Sequence, residues 1–166
     1  KAVNALSEWL EVEVSQNWHV YKQVYNRGVP QRALQIIGDT DKTGTKVTFY
    51  PDAEIFETIV FKYDILRVRL KELAFLNKGL TITLTDKRGE HEKHDVFHYE
   101  GGIRELVEEI NKGNNTLFAE PLYFEAQEGT TVCEIALQYN EGYSEVIYSY
   151  ANNVNTIDGG THVEGL

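Results

Sequence analysis

Residues 138–165 read QYNEGYSEVIYSYANNVNTIDGGTHVEG and form the most distinctive stretch of the chain. A turn signal and three tyrosines lead to the Gly-Gly pair at 159–160, where glycine relaxes the backbone. Thr161 and Glu164 then show the spacing of a capping box, in which a hydroxyl and a carboxylate satisfy amides at a helix start. The pattern predicts a helix that begins at Thr161 and continues beyond Leu166.

Three other motifs lie upstream of this stretch: GTKVTF at 44–49, ELAFLNKG at 72–79 and HYEGGI at 98–103. In this order and at these separations, the four motifs resemble the gyrase B family, the ATPase component of bacterial type IIA topoisomerases. The resemblance covers nearly all 166 residues. The run RGVP at 27–30, together with the Asn-Lys-Gly helix end, favours gyrase over its topoisomerase IV counterpart.

The resemblance implies an α/β (α+β) fold with two parts. Residues 1–100 are expected to form the C-terminal part of a GHKL-type ATP-binding sandwich. Residues 101–166 are expected to form the N-terminal part of a ribosomal-protein-like transducer domain. The pair Gly101 and Gly102 marks the predicted boundary, because it interrupts the pattern just before a second amphipathic helix.

Hydrophobic periodicity predicts the elements within these parts. Apolar residues at three- and four-residue spacing indicate helices at 63–78, with Gly79 as its C-terminal cap, and from Ile103 to Ile110. Residues 1–7 resemble the end of a helix. Period-two alternation predicts strands, and their ranges are 9–15, 20–25, 45–49, 80–84, 122–126, 132–139 and 145–154. Turns are expected at 28–30 and 39–44, and an exposed hairpin loop at 86–95.

The bulk composition limits the classes of function. A net charge of −10 disfavours non-specific attraction to the phosphate backbone of DNA, so any DNA contact must be local. No apolar run approaches the ~20 residues needed to cross a bilayer, and no leader opens the chain, so a cytoplasmic protein without a membrane partner is expected. The single cysteine, Cys133, fits a reducing compartment. Its alternation with Ile135 and Leu137 predicts a buried, inert thiol.

Thr45 and Val47 are the candidate nucleotide-binding residues. A threonine at the start of a strand is ordinarily a β-branched residue suited to a sheet. The resemblance implies instead that Thr45 helps to hold the adenine edge and that Val47 lines the purine pocket. A hydroxyl suits such an edge because it donates and accepts at once.

The remaining parts of the family's ATP site lie outside these residues. The resemblance implies ATP and Mg²⁺ as cofactors of the parent enzyme, but the general base, the magnesium ligand and the lysine at the terminal phosphate have no counterpart here. We therefore expect no catalytic residue, no metal site and no activity from this chain alone. The expected partners of the parent enzyme are DNA, the gyrase A subunit and a second copy of the gyrase B chain in an ATP-dependent gate.

Three other residue patterns have simpler explanations. His91, His94 and His98 have a spacing that could supply zinc ligands, but no helical face brings them together, which favours an exposed hairpin. The acidic residues of the second helix, Glu105, Glu108 and Glu109, are typical of a solvated face rather than of paired carboxylate catalysis. His162 is expected to be a hydrogen-bonded structural residue, with an interdomain contact as the alternative.

The predicted function is therefore that of a segment of a gyrase ATPase component, which couples ATP binding and hydrolysis to DNA strand passage and negative supercoiling. The segment would carry the adenine-side wall of the pocket and part of the transducer relay. Two alternatives are a segment of the corresponding topoisomerase IV ATPase component and a non-catalytic interaction module that retains this fold. A stand-alone hydrolase lacks any convergent site.

Overall fold

The computed structural model describes residues 1–166, and contacts divide the chain into two compact units, Lys1–Phe61 and Lys62–Leu166. The first unit contains α1 (Ala2–Ala5), β1 (Ser7–Gln16), β2 (His19–Asn26), β3 (Val29–Pro30), β4 (Gln35–Asp39) and β5 (Gly44–Pro51). The second contains α2 (Tyr63–Leu76), β6 (Thr81–Asp86), β7 (Lys93–His98), α3 (Ile103–Ile110), β8 (Leu122–Glu128), β9 (Thr131–Leu137), β10 (Tyr150–Ala151), β11 (Val154–Asn155) and α4 (Thr161–Glu164). The predicted mixed α/β fold class is confirmed.

The first unit is an antiparallel five-stranded sheet. Strand β1 lies between β2 and β5, while β3 and β4 both pair with the other side of β2. The β1–β2 hairpin turns at Asn17 and Trp18, whose φ angles are 51° and 67°. Two positive φ angles suit a two-residue hairpin turn because their twist matches that of the strands. The strands predicted at 9–15 and 20–25 are therefore confirmed, and they form one hairpin.

Two strands of this sheet were absent from the sequence prediction. Gly28 does not simply end the hairpin, because Arg27 and Gly28 form a second tight turn with φ angles of 46° and 82°. The short strand β3 then pairs back onto β2. Strand β4 also pairs with β2, although its side chains are exposed and its sequence shows no clear alternation.

Helix α2 is the centre of the second unit. It contacts β6, β7 and α3, and its buried residues are Ala74 and Phe75. The ring of Phe75 stacks on Tyr99 with 3.6 Å between centroids. The hydroxyl of Tyr63 donates to Asp95 on β7 at 2.6 Å. The core thus lies between α2 and the β6–β7 hairpin, as the apolar stripe of the predicted helix requires, although the helix ends two residues earlier than predicted.

Strands β8 and β9 form a hairpin whose apolar face is open. Leu122 and Phe124 are exposed on β8, and Ile135 and Leu137, opposite them, are half-buried. Cys133 lies on the same face and is exposed. The prediction of a buried thiol is therefore wrong, because alternation shows which residues share a face and not whether another element covers that face.

The stretch at 138–165 is less regular than predicted. Residues 145–154 do not form one strand, since Asn152 and Asn153 adopt φ angles of 48° and 64° and make a turn between the two-residue strands β10 and β11. Asparagine tolerates this left-handed conformation, which breaks a strand. The start of the stretch is held by Asn111, which contacts Gln138 at 3.0 Å and Asn140 at 2.7 Å.

The capping box at Thr161 and Glu164 is also wrong in detail. Helix α4 begins at Thr161 as predicted, but Gly160 is its N-cap, no side chain makes a capping hydrogen bond, and the helix ends at Glu164. Gly160 has a φ of 151°, within the range that favours glycine. His162 is hydrogen-bonded as predicted, with Nε2 3.0 Å from the Thr156 hydroxyl.

Candidate functional site

The candidate site is one face of strand β5, the strand that carries Thr45 and Val47. β-Branched and aromatic residues favour this extended segment, which pairs with β1 through Thr45–Val14, Val47–Val12 and Phe49–Leu10. Successive side chains of a strand point to opposite faces. Thr45, Val47 and Phe49 therefore share one face, as the sequence predicts.

This face is apolar and partly open. Leu10, opposite Phe49 on the same face, is buried, whereas Val47 is 51% exposed and Phe49 is also exposed. The ring of Phe61 meets Phe49 edge-on with 6.1 Å between centroids. Such a surface offers dispersion contact to a flat, uncharged ring without requiring the surrounding side chains to move.

Thr45 adds the polar group of this face. Its side chain is exposed near the start of β5, opposite Val14. A hydroxyl supplies one donor and two acceptor lone pairs. One polar group beside an apolar wall is the arrangement that orients a heterocycle in a binding site.

The opposite face of the same strands is charged. Lys46 lies 3.3 Å from Glu13, and Lys22 lies 2.8 Å from Glu11. The hydrogen bond from Lys46 is the main cause that lowers the pKa of Glu13 below its ordinary value. The two faces of β5 therefore differ sharply in polarity.

The end of β5 is fixed by a charge pair. Asp52 is 2% exposed, and Arg27 donates to it from Nε at 2.7 Å. The backbone amide of Glu54 donates to the other oxygen of Asp52 at 3.0 Å. These donors hold the pKa of Asp52 below its ordinary value, and the amide of Glu54 has the largest effect. The contacts anchor the strand that presents Thr45 and Val47.

A separate shallow cavity lies at the tip of the β1–β2 hairpin. Trp18, His19, Asp39, Thr40 and Asp41 line it, and neither Thr45 nor Val47 contributes to it. Trp18 is exposed, and the His19 Nδ1–Asp39 Oδ1 contact at 2.9 Å in this cavity is an exposed surface pair. It therefore adds nothing to the candidate site on β5.

The three histidines near β7 do not converge. His94 and His98 lie across the β6–β7 ladder from Thr85 and Thr81, each with a ring nitrogen 3.0 Å from the threonine hydroxyl. His91 lies outside the strand in the connecting loop. No group of three or more His, Cys, Asp or Glu side chains is placed to hold a metal ion.

The acidic residues of α3 do not form a carboxylate pair either. Glu105 accepts a hydrogen bond from the amide of Gly101 at 2.5 Å, and Glu109 accepts one from Lys71 at 2.5 Å. Glu108 is exposed. The predicted solvated face therefore holds for Glu108 and for Glu109, which is exposed while it pairs with Lys71 of α2. Glu105 is half-buried and stabilises the start of the helix.

The sequence prediction missed a polar cluster in the second unit. Glu72 on α2 accepts hydrogen bonds from Arg69 and from Tyr150, which is 78 residues further along the chain. The i,i+3 spacing of Arg69 and Glu72 on the predicted helix was the signal that could have revealed the first contact. Nothing in the local pattern indicated the second, because it depends on where the β10–β11 hairpin lies.

Comparison with known proteins finds relatives that match nearly the whole chain. A family model described as DNA gyrase B matches residues 102–166. The DNA gyrase B protein of Halalkalibacterium halodurans is 55% identical over 165 residues, and that of Clostridium acetobutylicum is 52% identical; each match covers 99% of this chain. None of the helices combines the length with the apolar composition that a membrane-spanning helix requires.

Solved structures give the same assignment for the fold. The 43K ATPase domain of Thermus thermophilus gyrase B, solved with an aminocoumarin, superposes with a TM-score of 0.88 at 36% identity, covering 97% of this chain and 44% of that one. The B-subunit of the DNA gyrase from Myxococcus xanthus has a TM-score of 0.88 at 28% identity, with coverages of 98% and 48%. The chain spans 26% of the length of the two curated relatives. This chain therefore belongs to the DNA gyrase B family and corresponds to one segment of its longer members.

Proposed function

We propose that this chain serves in the ATPase component of a gyrase, where ATP binding and hydrolysis are coupled to DNA strand passage and negative supercoiling. The observation that carries the proposal is the agreement of the whole chain with DNA gyrase B proteins. The partners would be DNA, the gyrase A subunit and a second gyrase B chain, and the enzyme would act in the cytoplasm. The chain's net charge of −10 assigns most of the DNA contact to other parts of the assembly.

The local part of the proposal concerns strand β5. We propose that the adenine ring of ATP lies on the open face of β5, with the Thr45 hydroxyl at its polar edge and Val47 against its plane. The apolar residues Leu10 and Phe49 on the same face, the exposure of Val47 and the charge-free character of this face support the assignment. A purine is flat and carries donors and acceptors only at its rim, which suits one hydroxyl beside an apolar wall.

The described residues fit the base of the nucleotide and do not fit its metal ion. Magnesium prefers oxygen ligands from carboxylates and phosphates, and no carboxylate cluster lies on this face or elsewhere in the chain. We therefore assign Mg²⁺ and the phosphates to other parts of the gyrase B protein. It follows that the 166-residue chain should release no phosphate from ATP. Magnesium-dependent release that survives repurification would contradict this.

The same proposal assigns the two parts of the chain to different regions of the gyrase B protein. Residues 1–100 would belong to the nucleotide-binding region and residues 101–166 to the transducer, which passes closure of the ATP site toward the DNA-cleaving core. The family match that starts at residue 102 supports this division. The proposed division differs from the boundary between the two compact units, which follows Phe61.

Thr45→Val in the complete gyrase B protein is the decisive test. Valine keeps the shape of the side chain and removes the hydroxyl, which contributes on the order of 1 kcal/mol as a typical net hydrogen bond. We expect the dissociation constant of a non-hydrolysable ATP analogue, measured by calorimetry, to rise about 5-fold.

The matched control is Thr48→Val. Thr48 lies on the same strand, and its side chain points to the opposite, ion-paired face. We expect the control to bind the nucleotide with unchanged affinity. Equal affinities for both variants and the unaltered protein would refute the assignment of the adenine edge, and so would an equal loss in both variants.

A further inference from the structure

A polar network ties the β10–β11 hairpin to helix α2. The hydroxyl of Tyr150 donates to Oε1 of Glu72 at 2.6 Å, and Arg69 donates to the other oxygen of the same carboxylate. The second guanidinium nitrogen of Arg69 donates to the main-chain oxygen of Asn153 at 3.0 Å. The Glu72 carboxylate thus binds the hairpin at its first strand, and the Arg69 guanidinium binds it at its turn.

A second contact joins the same turn to the end of α2. The side-chain amide of Asn153 donates to Asn77 at 3.0 Å, and Asn77 donates in turn to the carbonyl of Leu73 at 2.7 Å. Asn77 is the C-cap residue that follows the last helical residue of α2, and Asn153 is a turn residue with a φ of 64°. The network therefore fixes the position of a hairpin turn against a helix terminus.

Apolar packing contributes little to holding this hairpin. Tyr148, Val154 and Ile157 are all exposed, the last at 89%. Tyr150 is half-buried, and the other half-buried residues of the hairpin, Ser149, Asn153, Asn155 and Thr156, are polar. Burial and then the carboxylate of Glu72 raise the pKa of Tyr150, which keeps its phenol protonated as a donor. The position of the hairpin consequently depends on polar contacts that single side-chain changes can remove.

From the hairpin, hydrogen bonds continue to helix α4. The hydroxyls of Ser149 and Thr156 lie 2.6 Å apart across the base of the hairpin. The Thr156 hydroxyl also contacts Nε2 of His162 on α4 at 3.0 Å. A contiguous series of contacts therefore runs from α2 through the hairpin to α4, as energetic coupling between elements requires.

The carboxylate of Glu72 is the shared member of the series. Its side chain is 19% exposed, and a carboxylate so far withdrawn from water needs donors to offset its desolvation. Arg69 and Tyr150 supply them from α2 and from the hairpin. Loss of the Tyr150 hydroxyl would leave Arg69 as the one side chain that still donates to Glu72, and would release the first strand of the hairpin.

We propose that Glu72 and Tyr150 are positioning residues that transmit movements of α2 to the β10–β11 hairpin and α4. The inference rests on the proposed function, because α2 lies in the proposed nucleotide-binding region and α4 in the proposed transducer. The contact between Glu72 and Tyr150 crosses that division. It would make the hairpin follow the nucleotide state without touching the nucleotide.

The test uses Tyr150→Phe in the complete gyrase, with both of its component chains. The matched control is Tyr148→Phe, two residues earlier, whose exposed hydroxyl makes no hydrogen bond in the structure. For Tyr150→Phe we expect amides of residues 150–156 and 161–165 to exchange hydrogen roughly 5-fold faster, the factor that corresponds to one net hydrogen bond. Supercoiling per ATP hydrolysed should fall by a similar factor, while the nucleotide dissociation constant stays within about 2-fold. The control should alter none of these.

Glu72→Gln provides the rescue variant. Glutamine keeps an acceptor for the Tyr150 hydroxyl and loses the charge, so exchange and coupling should lie between those of the unaltered enzyme and Tyr150→Phe. For Tyr150→Phe, faster hydrogen exchange with normal supercoiling per ATP would overturn the proposed transmission. Unchanged exchange would overturn the positioning role. A loss of nucleotide affinity as large as the loss of coupling would assign Tyr150 to the ATP site instead. A complete protein that binds no ATP would refute the proposed function alone, since the exchange measurement still tests the positioning role.

Discussion

Replacing Phe75 with alanine tests the core of the second unit. Phe75 is 3% exposed. Its ring stacks on Tyr99 with the planes 17° apart, and Nζ of Lys71 lies 5.8 Å from its centroid. The substitution removes the ring from a site enclosed by α2 and the β6–β7 hairpin. Ala74, its neighbour in sequence, is fully buried and too small to fill the gap.

The expected cost follows from this enclosure. Truncation of a buried phenylalanine to alanine costs about 3–5 kcal/mol, because transfer free energy is lost and a cavity remains. Loss of the stacked pair accounts for about 0.5–1.5 kcal/mol of that cost. We expect a loss of about 4 kcal/mol, which is a large share of the roughly 5–15 kcal/mol that holds a domain folded.

Urea unfolding followed by far-ultraviolet circular dichroism measures this loss, because α2 is the longest helix of the chain at 14 residues. With a denaturant slope of about 1–2 kcal/mol per molar, the midpoint should fall by about 2 M or more. Val68→Ala is the control on the same helix: Val68 is 66% exposed, and the change should stay within about 0.5 kcal/mol. A shift for Phe75→Ala no larger than that of Val68→Ala, at an unchanged slope, would refute the account of the core.

Three further substitutions test local features. Asp86→Asn should weaken the loss of folding stability at acidic pH. The side chain and amide of Arg88 lower the pKa of Asp86 from 3.8 to about 2, so its stabilisation is present above pH 3.8 and is lost as the pH falls toward 2. Asp158→Asn, at an exposed position, should leave this pH dependence unchanged. Gly102→Ala should lower the free energy of unfolding by about 1–3 kcal/mol, measured by thermal unfolding. Gly102 has a φ of 62°, and a Cβ there would lie 2.6 Å from Cγ of Lys78. Gly38→Ala should not destabilise in this way, because a Cβ at Gly38 would meet no atom within 4 Å. Thr161→Ala should change the melting temperature little, because Thr161 caps nothing; a loss near the ~1 kcal/mol typical of an N-cap would restore the capping box.

The sequence predicted the elements whose periodicity is strong. Helices α2 and α3 and strands β1, β2, β5, β6, β8 and β9 follow their apolar patterns. The β10–β11 hairpin was missed because 145–154 alternates like a strand, and only the Asn152–Asn153 backbone reveals the turn. Strand β4 escaped because pairing with β2 forms it, and its own side chains are exposed.

The candidate site was predictable only in part, for a related reason. That Thr45 and Val47 share a face follows from strand periodicity alone. Whether the face is open depends on the elements around it, and local sequence does not encode this. The same limit produced the error at Cys133 and hid the contact between Glu72 and Tyr150, which joins residues far apart in the chain.

The sheet that carries β5 also contains both tryptophans of the chain. Trp18 projects into solvent from the hairpin tip, whereas the ring of Trp9 stacks in parallel on Tyr50 with 6.5 Å between centroids. All tryptophan fluorescence of this chain therefore originates in the unit Lys1–Phe61. A soluble quencher should extinguish the emission of Trp18 before that of Trp9. The chain thus contains a native optical probe whose two fluorophores both lie in the sheet that carries Thr45.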